Sequence, residues 1–190
     1  MAYSLGVLDH DEVYLRNPLR RVFQKPRRIL SELGVGVGDV VLDVGAGFGY
    51  LSLEAARMVG PTGLVYAVEP NTKRASALGV RVRRAGYGWV EVFDRPIEAL
   101  AGVVLRPVDK AVMLLSLHHM VEPLRALSVV RSKLGVGGVL LVVEPRWNPL
   151  FRHGSKPEDL GRYLADAGLA VTQRKETLFS LEFVAARVGV

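Results

Sequence analysis

Val40-Val41-Leu42-Asp43-Val44-Gly45-Ala46-Gly47-Phe48-Gly49 is the stretch that decides how this chain is read. Val40, Val41 and Leu42 form a short apolar run, the pattern of a strand buried on both faces. Asp43 to Gly49 then reads as a turn into a helix over Leu51 to Val59, with Leu51, Ala55, Met58 and Val59 expected inward. Glycine permits a sharp turn and lets a ligand approach the backbone. A helix starting directly after such a turn aims its first N–H groups at whatever lies there. The turn is therefore expected to hold something polar or charged. Its spacing argues against a dinucleotide. That fingerprint places its third glycine five residues after the first, whereas here the glycines stand at 45, 47 and 49 and Tyr50 fills the fifth place. Asp43 would repel a pyrophosphate and suits a cationic amino group.

Outward from this turn, strands and helices alternate. Leu64 to Val68 is a second strand, and Asn71 caps a helix that ends near Gly86. Trp89 to Phe93 is the third strand and Val108 to Leu115 the fourth. Pro123 opens a helix with Leu124, Leu127, Val130 and Leu134 at helical spacing, stopped by Gly135. Val139 to Val143 is the fifth strand. Ser155 and Glu158 have the spacing of a capping box for a helix ending at Gly168. Ala170 to Lys175 and Leu181 to Val188 lie close enough in sequence to form an antiparallel hairpin. The sum is an α/β chain: a Rossmann-like, doubly wound, mostly parallel seven-stranded sheet with an antiparallel C-terminal hairpin strand. Such sheets bind ligands beyond the carboxyl ends of their strands, where strand order reverses.

Composition narrows the chemistry. The 190 residues fit one domain with a substantial core, and the 49% hydrophobic content argues against disorder. No apolar run reaches the length of a membrane span, and the N-terminus lacks a secretory pattern, so a cytoplasmic protein is expected. Cysteine is absent, which removes disulfides, thiolate metal sites and every cysteine nucleophile. The charge balance, 25 basic against 19 acidic residues, leaves a net +6. A basic surface can attract phosphate, and it can equally be a solvated face.

Two further acids stand where strands should end. Glu69 closes the second strand, where a carboxylate can accept hydrogen bonds from a ribose diol. Pro70-Asn71 then turns the chain. Asp94 closes the third strand and is followed by Arg95-Pro96-Ile97. It could accept from an adenine amino group, with Pro96 or Ile97 against the ring.

Taken together, Val41 to Gly49, Val68-Glu69-Pro70, Asp94 and Ser116-Leu117-His118-His119 resemble the class I S-adenosylmethionine-dependent methyltransferases. The resemblance covers roughly Asp39 to Pro145. Within that superfamily it is most similar to the small-molecule branch that includes the ubiquinone/menaquinone-biosynthesis methyltransferases. The resemblance implies S-adenosyl-L-methionine as cofactor, with S-adenosyl-L-homocysteine as product. It implies that Gly45, Ala46, Gly47 and Gly49 wrap the methionine part, with Asp43 facing its ammonium. Glu69, with Pro70 beside it, would bind the ribose. Asp94 and the Arg95 backbone would hold adenine, and Ser116 would lie near the sulfonium. A glycine often precedes the third-strand acid in this family; here it is Phe93.

Methyl transfer from a sulfonium needs positioning and exclusion of water, and a base only when the acceptor must lose a proton. His118 and His119 are the candidate bases, since an imidazole titrates near neutral pH. No metal is expected, because adjacent histidines project differently and no carboxylate cluster stands nearby. The loop after the fourth strand has no Asn-Pro-Pro or Asp-Pro-Pro run of the family's amino-methylating enzymes. The missing cysteine argues against pyrimidine C5 and arsenic methylation. A small-molecule acceptor is the expectation, with RNA or a binding module without turnover as alternatives. Residues 1–34 are expected as a helical lid or flank, and 35–190 as the cofactor-binding domain. In the former, Arg16, Arg20, Arg21, Lys25, Arg27 and Arg28 interleave with Tyr14 and Phe23, and Pro18 and Pro26 break the helix.

Overall fold

The structure, a computed structural model, describes residues 25–147, 154–177 and 180–187. Helix α1 (Pro26–Glu32) leads into strand β1 (Val40–Val44), followed by α2 (Ser52–Val59), β2 (Leu64–Val68), α3 (Thr72–Ala85) and β3 (Val90–Phe93). A 3-10 turn at Ile97–Leu100 precedes β4 (Val108–Leu114), and another at Leu117–His119 follows it. Then come α4 (Pro123–Lys133), β5 (Leu134–Pro145), α5 (Pro157–Asp166), β6 (Leu169–Glu176) and β7 (Ser180–Arg187). The sheet runs β3-β2-β1-β4-β5-β7-β6. The neighbouring pairs among β1 to β5 are parallel, and β7 is antiparallel to both β5 and β6. Strand order reverses between β1 and β4, so the ligand crevice lies beyond their carboxyl ends.

The expected fold class is the one observed. Both β1 and β2 are buried at every position because helices cover both faces. Alternation divides their side chains. Val40, Leu42 and Val44 join one core with Met113, Leu127, Leu140 and Phe183, while Val41 joins a second with Leu30, Ala55, Val59 and Val112. Asn71 caps α3 as expected, its side chain accepting from the N–H groups of Lys73 and Arg74.

Several boundaries move. β1 extends to Val44, which makes Asp43 a buried strand residue instead of a loop residue. Met58 is only half-buried and Leu124 is exposed. β5 begins at Leu134, because the chain passes from α4 directly into pairing with Val108. Gly138 allows that passage, since a Cβ there would lie 2.5 Å from the Val108 carbonyl oxygen. The expected capping box is absent. Lys156 occupies the N-cap of α5 without a side-chain cap, Pro157 starts the helix, and the Ser155 hydroxyl is used elsewhere. Of the expected lid, residues 1–24 lie outside the described residues, as do Phe179 and the end of the last strand. In the described remainder, Leu30 and Leu33 are buried in the core with α2 residues Ala55 and Val59. Among the described residues no helix is long and apolar enough to cross a membrane.

Phe183 is fully buried on the strand that locks the antiparallel pair onto β5. Phe183→Ala should destabilise the fold by about 3–5 kcal/mol, read as a lower urea midpoint with an unchanged slope.

Candidate functional site

Register builds the site. Val44, Val68 and Phe93 are paired neighbours, so the residues that follow them, Gly45, Glu69 and Asp94, leave the sheet at one level. Asp43 sits one residue inside β1 on the face that carries α2, and its carboxylate accepts from the Ser52 hydroxyl at 2.5 Å. Glu69 is buried, and its two oxygens accept from Gly47 N–H at 2.8 Å and Asn71 N–H at 2.9 Å. Asp94 and Arg95 lie at the far end of the row, both exposed, with 3.9 Å between their charged groups. Pro70 is exposed beside Glu69.

The glycine turn works differently from the sequence expectation. The N–H groups of Gly45 and Ala46 bond to the Val68 carbonyl, that of Gly47 to Glu69, and that of Gly49 to Ala46. These four donors are spent within the chain, so they form no anion cradle. What the turn offers is close backbone approach beside two carboxylates, which suits a cationic ligand. Gly45 and Gly47 both have positive φ, 82° and 57°. A Cβ on Gly45 would lie 2.5 Å from Ser116 Cβ, whereas one on Gly47 would enter open space. Gly49 is needed for packing, since its Cβ would meet Leu78 of α3 at 2.3 Å.

Ser116 joins the two central strands. Its hydroxyl donates to the Val44 carbonyl at 2.8 Å. The preceding Leu115 has φ of 55°, a left-handed conformation uncommon for a bulky residue. Holding it there falls to Glu144, which sequence reasoning missed. This carboxylate is fully buried near the end of β5 and accepts from the N–H groups of Ser116, Leu117 and His118. It also bonds His118 Nδ1 at 2.5 Å and accepts from Ser155 Oγ at 3.2 Å. His119 is exposed, its ring centroid 3.9 Å from that of His118. The missed signal was positional: Glu144 is an acid at the end of the fifth strand, like those ending the second and third.

On the outer side of the glycine turn lies an open cleft of about 630 Å³, lined by Tyr50, Arg57, Arg81 and Tyr87 and by Lys25 and Arg27 at the start of α1. Arg57 is paired with Glu54, which raises its already high pKa, and Arg81 donates to the Phe48 carbonyl.

Residues 42–142 match the family described as "Methyltransferase domain". The chain is 30% identical over 125 residues to a protein-L-isoaspartate O-methyltransferase of Ignicoccus hospitalis, spanning 64% of this chain and 56% of that protein. It is 46% identical over 66 residues to the enzyme of that name from Aeropyrum pernix, covering 34% of this chain and 25% of that protein. The chain thus matches little more than half of one relative's length and a quarter of the other's. Among solved structures, a SAM-dependent methyltransferase from Aquifex aeolicus superposes with a TM-score of 0.77 at 26% identity, covering 93% of this chain and 96% of that one.

The geometry distinguishes two neighbouring glycines. Gly45→Ala should destabilise by about 2–4 kcal/mol, from overpacking against Ser116 together with left-handed backbone strain. Gly47→Ala should cost only the strain, about 1–2 kcal/mol. Parallel thermal melts check the order.

Proposed function

Because the chain belongs to the methyltransferase-domain family, we propose that it transfers the sulfonium methyl of S-adenosylmethionine to a small-molecule acceptor by in-line displacement. S-adenosylhomocysteine is the product. The carrying observation is the level row Asp43, Glu69 and Asp94 beside a glycine turn whose donors are turned inward. Such a site is poor for phosphate and suits a ligand with a cationic amino-acid end, a ribose and a purine. When bound, the cofactor supplies a methyl group already activated by positive sulfur.

The remaining work belongs to the chain. Gly45, Ala46, Gly47 and Gly49 give the methionine part close backbone contact, and Asp43 supplies negative charge near its ammonium. Glu69 keeps lone pairs beyond those used by Gly47 and Asn71, and in this reading they take the ribose hydroxyls, with Pro70 alongside. Asp94 and the Arg95 backbone hold adenine. Ser116 marks the methyl-transfer point, and His118 and His119 are the groups able to accept a proton there. The proposal keeps residues 1–34 as a flank or lid beside a cofactor-binding domain over 35–190. The resemblance to the ubiquinone/menaquinone branch supports a small acceptor.

Two other acceptors have specific support. Identity with the Ignicoccus hospitalis relative favours a protein isoaspartyl group. The basic cleft with Tyr50 and Tyr87, and the net +6, favour RNA. RNA binding that vanishes by moderate salt would be general charge attraction, and specific RNA methylation at physiological salt would displace the small-molecule reading.

Gly47→Arg should place a side chain in the open space beside the turn and abolish cofactor binding while the protein stays folded. Unchanged affinity by calorimetry would remove the assignment. Glu69→Ala should weaken S-adenosylmethionine by about 1.5–3 kcal/mol, the scale of a hydrogen bond to a charged group. Methionine alone, which lacks the ribose, should bind the variant as it binds the wild type. Equal losses for both would show that the variant disturbs the glycine turn instead.

A further inference from the structure

We infer that Glu144 is a positioning residue that presets His118 as a base, and that the methyl acceptor is a hydroxyl that must lose its proton, a phenol or an enol, not a carboxylate. The inference rests on the methyl-transfer reading and names the acceptor class of that same site.

Glu144 is costly to bury. A carboxylate in a protein interior is tolerated only with full hydrogen bonding. Here five donor groups surround it: three consecutive backbone N–H groups at 116–118, the Ser155 hydroxyl and the His118 ring. An ionised carboxylate can only accept, so the ring must donate from Nδ1. The neutral imidazole then carries its basic lone pair on Nε2. Pinning the loop accounts for the backbone contacts. It does not require a contact to the ring, whose Nδ1 lies 2.5 Å from the carboxylate.

Position gives this tautomer a use. His118 is two residues after Ser116, and Ser116 abuts Gly45 so closely that a Cβ on Gly45 would lie 2.5 Å from Ser116 Cβ. The preset imidazole therefore belongs to the edge where β1 and β4 end. Glu144 and the stacked His119 are the titratable groups that the structure places directly against it.

The acceptor class follows from what a base is needed for. A carboxylate, with a pKa near 4, is already ionised at neutral pH and attacks without help. A phenol, with a pKa of about 10, does not. In the proposed step the acceptor O–H proton passes to His118 Nε2, and the freed electron pair forms the bond to the methyl carbon, at oxygen or at the conjugated carbon. The carbon–sulfur electron pair stays on sulfur, leaving a neutral thioether. The Glu144 carboxylate balances the imidazolium that forms.

Nitrogen NMR of the ¹⁵N-histidine-labelled protein tests the first half without any substrate. The chain has four histidines, and His118→Gln identifies the resonance. The expected result is a His118 ring protonated at Nδ1 and bare at Nε2 near neutral pH. A proton on Nε2, or on both nitrogens, would overturn the inference. Glu144→Gln can donate its amide N–H to Nδ1 and should move the proton to Nε2. Incubating cell extract with methyl-labelled cofactor tests the second half. Transferred label should survive mild alkali, and its rate should fall ~100-fold in Glu144→Gln, within the range for general-base catalysis. Cofactor affinity should stay within about twofold, because Glu144 binds no part of the cofactor in this reading. Label released as methanol by alkali would identify a methyl ester and overturn the acceptor class. A folded, cofactor-binding Glu144→Gln with wild-type transfer would show that Glu144 only pins the loop. Failure of the methyl-transfer reading is separately visible, as absence of cofactor binding by the wild-type protein.

Discussion

The site's catalytic edge depends on one buried carboxylate. Glu144 sits near the carboxyl end of β5, yet its hydrogen bonds go to the loop leaving β4 and to Ser155, just before α5. The β4 exit needs such an anchor because Leu115 adopts a left-handed backbone that costs roughly 1–3 kcal/mol to hold. Ser116 N–H is bound by Glu144 while its hydroxyl reaches the Val44 carbonyl. A chain of contacts thus runs from β5 through the β4 exit to β1. The glycine turn inherits its position from that chain, since Ser116 fills the space beside Gly45.

A second fixed relation sets the other half of the site. Parallel pairing of β1, β2 and β3 in register lets Gly45, Glu69 and Asp94 emerge side by side. Glu69 turns this alignment into rigidity by accepting from the N–H groups of Gly47 and Asn71. The turn after β1 is therefore tied to the turn after β2. The same arrangement consumes the donors that would otherwise make the turn attractive to phosphate. Glycine-rich turns of similar appearance can thus serve opposite ligand charges, depending on where their N–H groups are spent.

Much of this was legible in the sequence because it follows from local patterns. The all-apolar runs at Val40–Leu42 and Leu64–Val68 could only be doubly covered strands, and Asn71 before α3 had one obvious use. The acids at 43, 69 and 94 could be placed because strand ends could be placed. What escaped reading was long-range. Ser155 and Glu158 have capping-box spacing, but the Ser155 hydroxyl bonds Glu144, eleven residues back in sequence, and Lys156 with Pro157 starts the helix. Nothing local distinguishes these outcomes. β5 likewise starts five residues early, since Leu134 pairs with Val108 across the sheet and helical spacing alone assigns it to α4.

Fold and family narrow the reaction, and the groups around the acceptor narrow it further. The row of acids addresses only the cofactor, and any methyltransferase with this sheet could use it. The base is different, because its need depends on the acceptor. A transfer to a preformed anion gains nothing from an imidazole held in one tautomer by a fully buried charge. A transfer to a protonated oxygen gains an oriented acceptor for that proton and a counter-charge for the cation produced. Identity with isoaspartyl methyltransferases and the presence of the Glu144–His118 pair therefore point to different acceptors. The identity was measured along stretches dominated by the shared fold. The pair lies at the reacting edge and bears directly on acceptor chemistry, so it carries more weight in choosing between them.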